Sequence, residues 1–239
     1  MYYPYLDWTY IVLVLPAVLF AMWASFYVQT TFRRYSSVPN SRGMTGAQAA
    51  RMLLDANGLH QVRVERISGN LTDHYDPKQK VIRLSDSVYD ARSCAAVGVA
   101  CHEAGHAVQD ATDYAPLRFR NAIIPATNIG SKLSLPLIVI GLLLVYVSQL
   151  GIYIAYLGVT CFALSTIFQL VTLPTEFNAS RRAVQALEDN GVVADEELRG
   201  TKRVLRAAAL TYVAALAVSL MQLLRLLIII GNNDNRRRR

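Results

Sequence analysis

The 239-residue sequence predicts a mainly α-helical membrane protein, with about four transmembrane helices and a smaller part outside the lipid that contains a β-sheet. Hydrophobic residues make up 53% of the chain, more than in a typical soluble domain. Several apolar runs reach or exceed the about 20 residues that a helix needs to cross a bilayer. Most basic residues stand beside these runs, as expected when charge sets the orientation of membrane helices.

The first apolar run, residues 6–27, predicts a transmembrane anchor over 1–28. We expect it to stay uncleaved, because no positively charged segment precedes the run and no small-residue cleavage site ends it. Its start is rich in aromatic residues, which suit a belt at the membrane interface. These residues are Tyr2, Tyr3, Tyr5, Trp8 and Tyr10.

The central apolar block, residues 133–173, is about twice the length of one span. Turn-forming residues at 148–151 lie near its middle, so the block predicts a transmembrane hairpin over 133–174.

The last apolar run predicts a fourth membrane helix over 205–231. It carries Gln222 and Arg225, which are costly in lipid unless they face protein or reach the interface.

The chain has a net charge of +7, but its basic residues are concentrated beside the membrane spans, so the charge does not indicate nucleic-acid binding. Basic residues flank one side of all four spans, and the positive-inside rule places that side in the cytoplasm and the N-terminus outside. These residues are Arg33, Arg34, Arg118, Arg120, Lys132, Arg181, Arg182, Arg199, Lys202, Arg203 and Arg206. We therefore predict a multi-pass protein of the cell inner membrane.

The basic tail over 232–239 is the exception, because four full crossings would leave Arg236 to Arg239 outside. Either the fourth span is re-entrant or lies in the interface, or the other flanks outweigh the tail.

The segment between the first two spans has its own local signals. Thr45 and Gln48 form a capping-box pattern, and the helix that they begin is closed by Asn57 and Gly58. Residues 62–67 alternate in polarity, and residues 71–75 and 81–84 flank a turn at 76–79. The pattern predicts a hairpin plus one strand.

A second helix is predicted after this sheet, with its N-cap in Ser85, Asp86 or Ser87 and its body running from about Val88 to Asp110. It carries His102-Glu103-Ala104-Gly105-His106, an H-E-x-x-H pattern. On a helix, residues four apart share a face, so both imidazoles can bind one Zn²⁺, and the glutamate can take a proton from water. The pattern therefore predicts a zinc hydrolase.

Catalytic zinc normally has three protein ligands, so a third is needed. The candidates along the chain are His60, His74, Asp110, Asp113 and the acidic residues after the third span, of which Glu176 is the first. Glu176 follows the third span at Pro174 and would lie within a turn or two of the bilayer surface. It is equally compatible with a solvated glutamate in the first turn of a helix.

Three segments resemble the YugP-type neutral zinc metallopeptidases, bacterial membrane proteins of gluzincin type, and more distantly the HtpX-like membrane metalloproteases. They are the motif at 102–106, Leu71-Thr72-Asp73-His74-Tyr75-Asp76-Pro77, and Leu173-Pro174-Thr175-Glu176-Phe177-Asn178-Ala179-Ser180-Arg181-Arg182. The resemblance implies a zincin-like catalytic part at the membrane surface and identifies Glu176 as the third ligand. In the HtpX-like group an aspartate occupies the position of Ser180, and a serine could still hydrogen-bond an imidazole N–H.

The sequence then divides into the anchor and five further regions. These are a cytoplasmic zincin-like part over 29–132, the hairpin over 133–174, a cytoplasmic helix with the third ligand over 175–204, the fourth membrane helix over 205–231 and the tail over 232–239.

The predicted function is that of a zinc metalloendopeptidase whose substrates are membrane-associated proteins or peptides. Zn²⁺ is held by His102, His106 and Glu176, and Glu103 is the general base. His74 is either a solvent-exposed sheet residue or a second catalytic residue that stabilises an oxyanion. The alternative is a non-catalytic membrane scaffold or assembly factor that keeps a metal site; Arg225 is the sole support for a transporter.

Overall fold

A computed structural model of the protein describes residues 8–238, so Tyr2, Tyr3, Tyr5 and Arg239 lie outside the described residues. Within that range the chain is mainly helical, and four of its helices are long and apolar enough to cross a membrane. The predicted fold class is confirmed. The helices are α1 (Leu15–Ser36), α2 (Gly46–Ala56), α3 (Cys94–Ala111), α4 (Ala115–Leu144), α5 (Leu150–Asp189) and α6 (Asp195–Arg238), and the strands are β1 (Arg63–Ile67), β2 (His74–Asp76) and β3 (Val81–Ser85).

The chain forms two compact units. The first contains Phe119–Thr172, the N-terminal residues as far as Trp23 and the C-terminal residues from Tyr212 onward. The second contains Ala24–Arg118 and Leu173–Thr211. The candidate functional residues all lie in the second unit.

In the first unit, the parts of α4 and α5 that it contains pack closely through small residues. A Cβ added at Gly141 would lie 2.4 Å from the backbone nitrogen of Ala155, and one at Gly158 would lie 2.7 Å from the Ile138 side chain. Such close approach is the usual basis of helix association in lipid. The side chains of Leu135 and Leu143, by contrast, are 68% and 67% exposed, as expected for a lipid-facing surface.

The turn between α4 and α5 lies between Leu144 and Leu150, slightly before the predicted residues 148–151. Ser148 accepts a hydrogen bond from the Leu150 backbone N–H through its hydroxyl (3.2 Å). Helix α4 begins at Ala115, well before the apolar block, because hydropathy marks where a helix enters lipid and not where it starts.

Helix α6 is unbroken from Asp195 to Arg238. A re-entrant segment requires the backbone to turn back within the membrane, and the described part of α6 has no such turn. That option for the fourth span is therefore wrong.

The second unit contains the sheet, in the order β1-β3-β2. Strands β2 and β3 are antiparallel and form the predicted hairpin, while β1 pairs parallel to β3. The Thr45 capping box of α2 is also present: the Thr45 hydroxyl accepts from the Gln48 N–H (3.2 Å) and Gln48 accepts from the Thr45 N–H (2.9 Å). The core of this unit is formed by α2, α3, the sheet and the parts of α5 and α6 that belong to it.

The start of the motif helix differs from the prediction, because α3 begins at Cys94 and not near Val88. Ser85 cannot cap it, since this buried residue ends β3 and its N–H and hydroxyl both donate to the Asp73 carboxylate (2.8 and 2.9 Å). Ser93 is the N-cap instead, and its hydroxyl accepts from the Ala96 N–H (3.2 Å).

Candidate metal centre

Helix α3 and the C-terminal part of α5 lie in direct contact at the motif. Gly105 stands against the α5 backbone, where an added Cβ would lie 2.8 Å from the carbonyl oxygen of Ala179. Ala104, Ala179 and Ala183 are fully buried around it. Small residues on both helices therefore let the two backbones approach closely enough for short side chains to meet.

This approach brings His102, His106 and Glu176 together as a group that could hold a metal ion, with one ligand atom from each within 4.8 Å of the others. The Glu176 Oε2 atom lies 3.2 Å from Nε2 of His102 and 3.5 Å from Nε2 of His106. Among the candidates for a third ligand, the described structure places only Glu176 beside both histidines.

The spacing fits zinc. Tetrahedral Zn²⁺ with ligands at about 2.0–2.1 Å holds neighbouring ligand atoms about 3.3–3.4 Å apart, and the Glu176 oxygen lies 3.2 and 3.5 Å from the two imidazole nitrogens. Two imidazoles and one carboxylate are also the donor set of many catalytic zinc sites, which keep a fourth position open.

Both imidazoles are turned so that Nε2 faces Glu176, because each Nδ1 has another partner. Nδ1 of His102 lies 3.1 Å from the Ser180 hydroxyl, and Nδ1 of His106 lies 3.0 Å from Oε1 of Gln109. Hydrogen bonds to the second ring nitrogen are the usual means of orienting a ligand histidine. Ser180 therefore makes the hydrogen bond to an imidazole that the sequence allowed for a serine at this position.

The site is nearly closed to solvent. The side chains of His102, His106 and Glu176 are 13%, 12% and 4% exposed. Burial opposes protonation of His106, but the carboxylates of Glu176 and Glu103 outweigh it and raise the pKa of His106. A buried carboxylate needs a cation or several hydrogen-bond donors beside it, and a divalent metal meets that need.

Glu103 lies next to the first ligand on α3 and is half-buried. Its carboxylate acts electrostatically on His106, one helical turn further on. Its partial exposure leaves it accessible to solvent.

His74 is on β2, outside the metal-binding group. Its Nδ1 atom lies 2.9 Å from the Thr72 carbonyl oxygen. A carbonyl only accepts, so Nδ1 carries the hydrogen and Nε2 can donate only in the doubly protonated ring.

The other candidate ligands have different partners. His60 pairs with Asp55 (2.9 Å) at the surface. Asp110 accepts hydrogen bonds from the Tyr75 hydroxyl (2.7 Å) and from Lys80. Burial, together with the Asp110 carboxylate, raises the pKa of Tyr75. These contacts join the hairpin to the end of the motif helix.

Cys94 and Cys101 are buried free thiols on α3. Burial raises the pKa of Cys94 to about 11 and that of Cys101 to about 12. Neither belongs to the metal-binding group among the described residues, in agreement with packing roles.

Two residues hydrogen-bonded beside the site were not singled out in the sequence. Gln109 and Asn178 are joined by a 3.0 Å hydrogen bond between α3 and α5. The position of Gln109, three residues after His106 on the same helix face, is the signal that could have identified it.

Comparison with known proteins adds two findings. The chain matches the family described as "Putative neutral zinc metallopeptidase" over residues 10–231. It is similar to a protein of Bacillus subtilis (strain 168) named "Putative membrane protease YugP", with 46% identity over 228 residues, or 95% of this chain and 99% of that protein. No solved structure matches the chain at a significant level.

Proposed function

Because this chain belongs to the family of neutral zinc metallopeptidases, we propose that it is a zinc metalloendopeptidase that cleaves membrane-associated proteins at the cytoplasmic membrane surface. The single observation that carries the proposal is the convergence of His102, His106 and Glu176 at separations suited to tetrahedral zinc. The four apolar helices and the membrane-protease relative support the membrane setting.

Zinc in such a site acts as a Lewis acid that polarises a carbonyl and lowers the pKa of water to about 7. His102, His106 and Glu176 would supply the three protein ligands of that ion. Glu103 accepts a proton from the attacking water as its oxygen bonds to the peptide carbonyl carbon. Protonated Glu103 then donates this proton to the leaving nitrogen as the C–N bond breaks, giving a carboxylic acid and an amine.

A catalytic contribution from His74 is a separate hypothesis within this proposal. Its half-buried ring stands on the hairpin that Tyr75 and Asp110 join to α3. Since Nδ1 donates to Thr72, His74 would stabilise an oxyanion through Nε2 only as an imidazolium.

The cytoplasmic location rests on charge. Arg33 and Arg34 end α1, Arg118 and Arg120 begin α4, and the positive-inside rule places both flanks in the cytoplasm. Glu176 is four residues beyond Thr172 along α5, and its own flank carries Arg181 and Arg182. A thiol-labelling experiment on a cysteine placed at exposed Gln79 tests this: labelling by a membrane-impermeant reagent in intact cells would contradict it.

The decisive experiment compares the unsubstituted protein with Glu103→Gln, both purified in detergent. We expect equal zinc content by elemental analysis, because Glu103 is not a ligand. We expect peptide cleavage to fall by at least about 10²-fold, the usual contribution of a general base. Undiminished cleavage by Glu103→Gln would exclude the mechanism.

The scaffold alternative makes a different prediction in the same experiment. A structural metal site has no need of a carboxylate beside its first ligand. Zinc binding without cleavage by the unsubstituted protein, across soluble and membrane-associated substrates, would favour the scaffold.

A further inference from the structure

A chain of hydrogen bonds runs from His106 to Arg182 through two amide side chains. Nδ1 of His106 lies 3.0 Å from Oε1 of Gln109, and Nε2 of Gln109 lies 3.0 Å from Oδ1 of Asn178. Arg182 then donates from Nε to the same Oδ1 atom (2.9 Å). Gln109 is fully buried, and its Nε2 also donates to the Thr175 carbonyl oxygen (2.8 Å).

Arg182, at the end of this series of hydrogen bonds, determines which group is donor and which is acceptor in each of them. A guanidinium only donates, so Asn178 must present its oxygen to Arg182. That oxygen and the Thr175 carbonyl oxygen are both acceptors, so Gln109 must direct its NH₂ group toward them. The Gln109 oxygen is left facing His106, so Nδ1 of His106 must carry a hydrogen, and in the neutral ring the lone pair is on Nε2.

We propose that Gln109, Asn178 and Arg182 are positioning residues that hold His106 in the tautomer that presents its Nε2 lone pair to the metal. This proposal rests on the proposed metal site. It explains why His106 is already in the form that binds a metal ion. Rotating the Gln109 amide by about 180° would place its oxygen against two buried acceptor oxygens, those of Thr175 and Asn178. This rotation is unfavourable, so the hydrogen bonds of Gln109 disfavour the other tautomer of His106.

His102 has no comparable control. Its Nδ1 atom faces the Ser180 hydroxyl, which can donate or accept and therefore imposes no direction. The two ligand histidines thus differ: His106 is set by a network that ends at a permanent charge, and His102 adapts to what binds.

The inference also gives Arg182 a second role. In the sequence it is one of the basic residues that flank the third span. In the structure it is half-buried and bonded to Asn178, whereas its neighbour Arg181 is exposed. A charge that sets membrane orientation can therefore also set the polarity of a buried hydrogen-bond chain.

The test uses substitutions along the chain and two measurements that do not depend on cleavage. Gln109→Met and Asn178→Leu remove the acceptors, while Asn178→Asp keeps an acceptor oxygen toward both neighbours. Gln185→Met is the matched control, because Gln185 is an exposed residue of α5 that lines the same cavity as Arg182. Each protein is purified in detergent and its fold is checked by circular dichroism.

The first measurement is zinc affinity by competition with a chromogenic chelator. Loss of a residue that orients a metal ligand typically costs 10–100-fold in metal affinity, and we expect losses of that order for Gln109→Met and Asn178→Leu. Asn178→Asp and Gln185→Met should bind as the unsubstituted protein does.

The second measurement is the tautomer of His106 in metal-free protein, by NMR after selective ¹⁵N-histidine labelling. The chain has only four histidines, so the signals are few. For the neutral ring, we expect the Nδ1–H form in the unsubstituted protein and a mixture of the two tautomers in Gln109→Met. Unchanged zinc affinity together with an unchanged tautomer in Gln109→Met and Asn178→Leu would overturn the inference.

These outcomes separate the inference from the proposed function. A protein that binds no zinc would refute the proposed function, while the tautomer would still test the hydrogen-bond chain. Should Gln109→Met fail to fold, the pair Asn178→Leu and Asn178→Asp decides, since only the first breaks the chain.

Discussion

Gly105 stands directly against Ala179, so that a Cβ at Gly105 would lie 2.8 Å from the Ala179 carbonyl oxygen and 3.2 Å from its Cα. The first distance is shorter than real Cβ contacts and the second is shorter than most of them, and the obstacle is backbone that no side-chain rotation can move. The third residue after His102 must therefore be glycine for α3 and α5 to lie as close as they do.

Gly105→Ala should push the two helices apart. We expect destabilisation of about 1–3 kcal/mol, the usual cost of overpacking a core, and weaker zinc binding because the histidines lie on α3 and Glu176 lies on α5. Thermal unfolding with and without zinc measures both effects. Gly231→Ala is the control: nothing lies within 4 Å of its added Cβ, so it should be neutral or stabilising. Equal behaviour of the two variants would contradict the close packing.

Glu176→Ala should lower zinc occupancy, because it removes one of the three proposed ligands and leaves two imidazoles. The matched control is Glu188→Ala on the same helix, whose side chain is 59% exposed and pairs only loosely with Lys202 (3.8 Å). Elemental analysis of the purified proteins gives the result. Full zinc content in Glu176→Ala would mean that another residue is the third ligand.

His74→Ala tests the second catalytic residue. If the imidazolium of His74 stabilises an oxyanion, turnover should fall by about 10²-fold or more, with zinc content and thermal stability unchanged. His60→Ala is the control, since His60 is 73% exposed and pairs with Asp55. Normal turnover in His74→Ala would leave His74 a residue of the sheet.

The buried thiols should resist alkylation in the native protein. Burial raises the pKa of Cys101 from 9.0 to about 12, so about one thiol in 10⁴ is ionised at pH 8, against about one in ten when unfolded. A raised thiol pKa stabilises the folded state below pH 9, and this contribution is lost as the pH rises toward 12. Iodoacetamide labelling followed by mass spectrometry should find Cys101 unmodified before denaturation and modified after it. Rapid native labelling would contradict its burial.

Much of this protein could be predicted from local patterns. Hydropathy over about 20 residues identifies membrane helices, and the i, i+4 spacing of His102 and His106 places both rings on one face. The capping box at Thr45 and the turn after β2 are also local, since each involves residues close along the chain. Such features are determined by neighbouring residues and need no knowledge of the rest of the fold.

The motif helix shows where local pattern fails. Both Ser85 and Ser93 suit an N-cap, and the choice between them depends on Asp73, which engages the N–H and hydroxyl of Ser85 in the sheet. The parallel pairing of β1 with β3 is likewise a contact between strands that are separated along the chain by β2.

The sequence by itself determined the four apolar helices, the face of the motif helix that carries both histidines and, through family resemblance, the choice of Glu176 as the candidate third ligand. Only the tertiary structure decided which atoms orient those ligands: Ser180 lies 78 residues from His102, and Thr175, which orients Gln109, lies 66 residues from it. The physical reason is that hydropathy and helical spacing act between near neighbours, whereas the direction of a buried hydrogen bond depends on every donor and acceptor that packing brings to it.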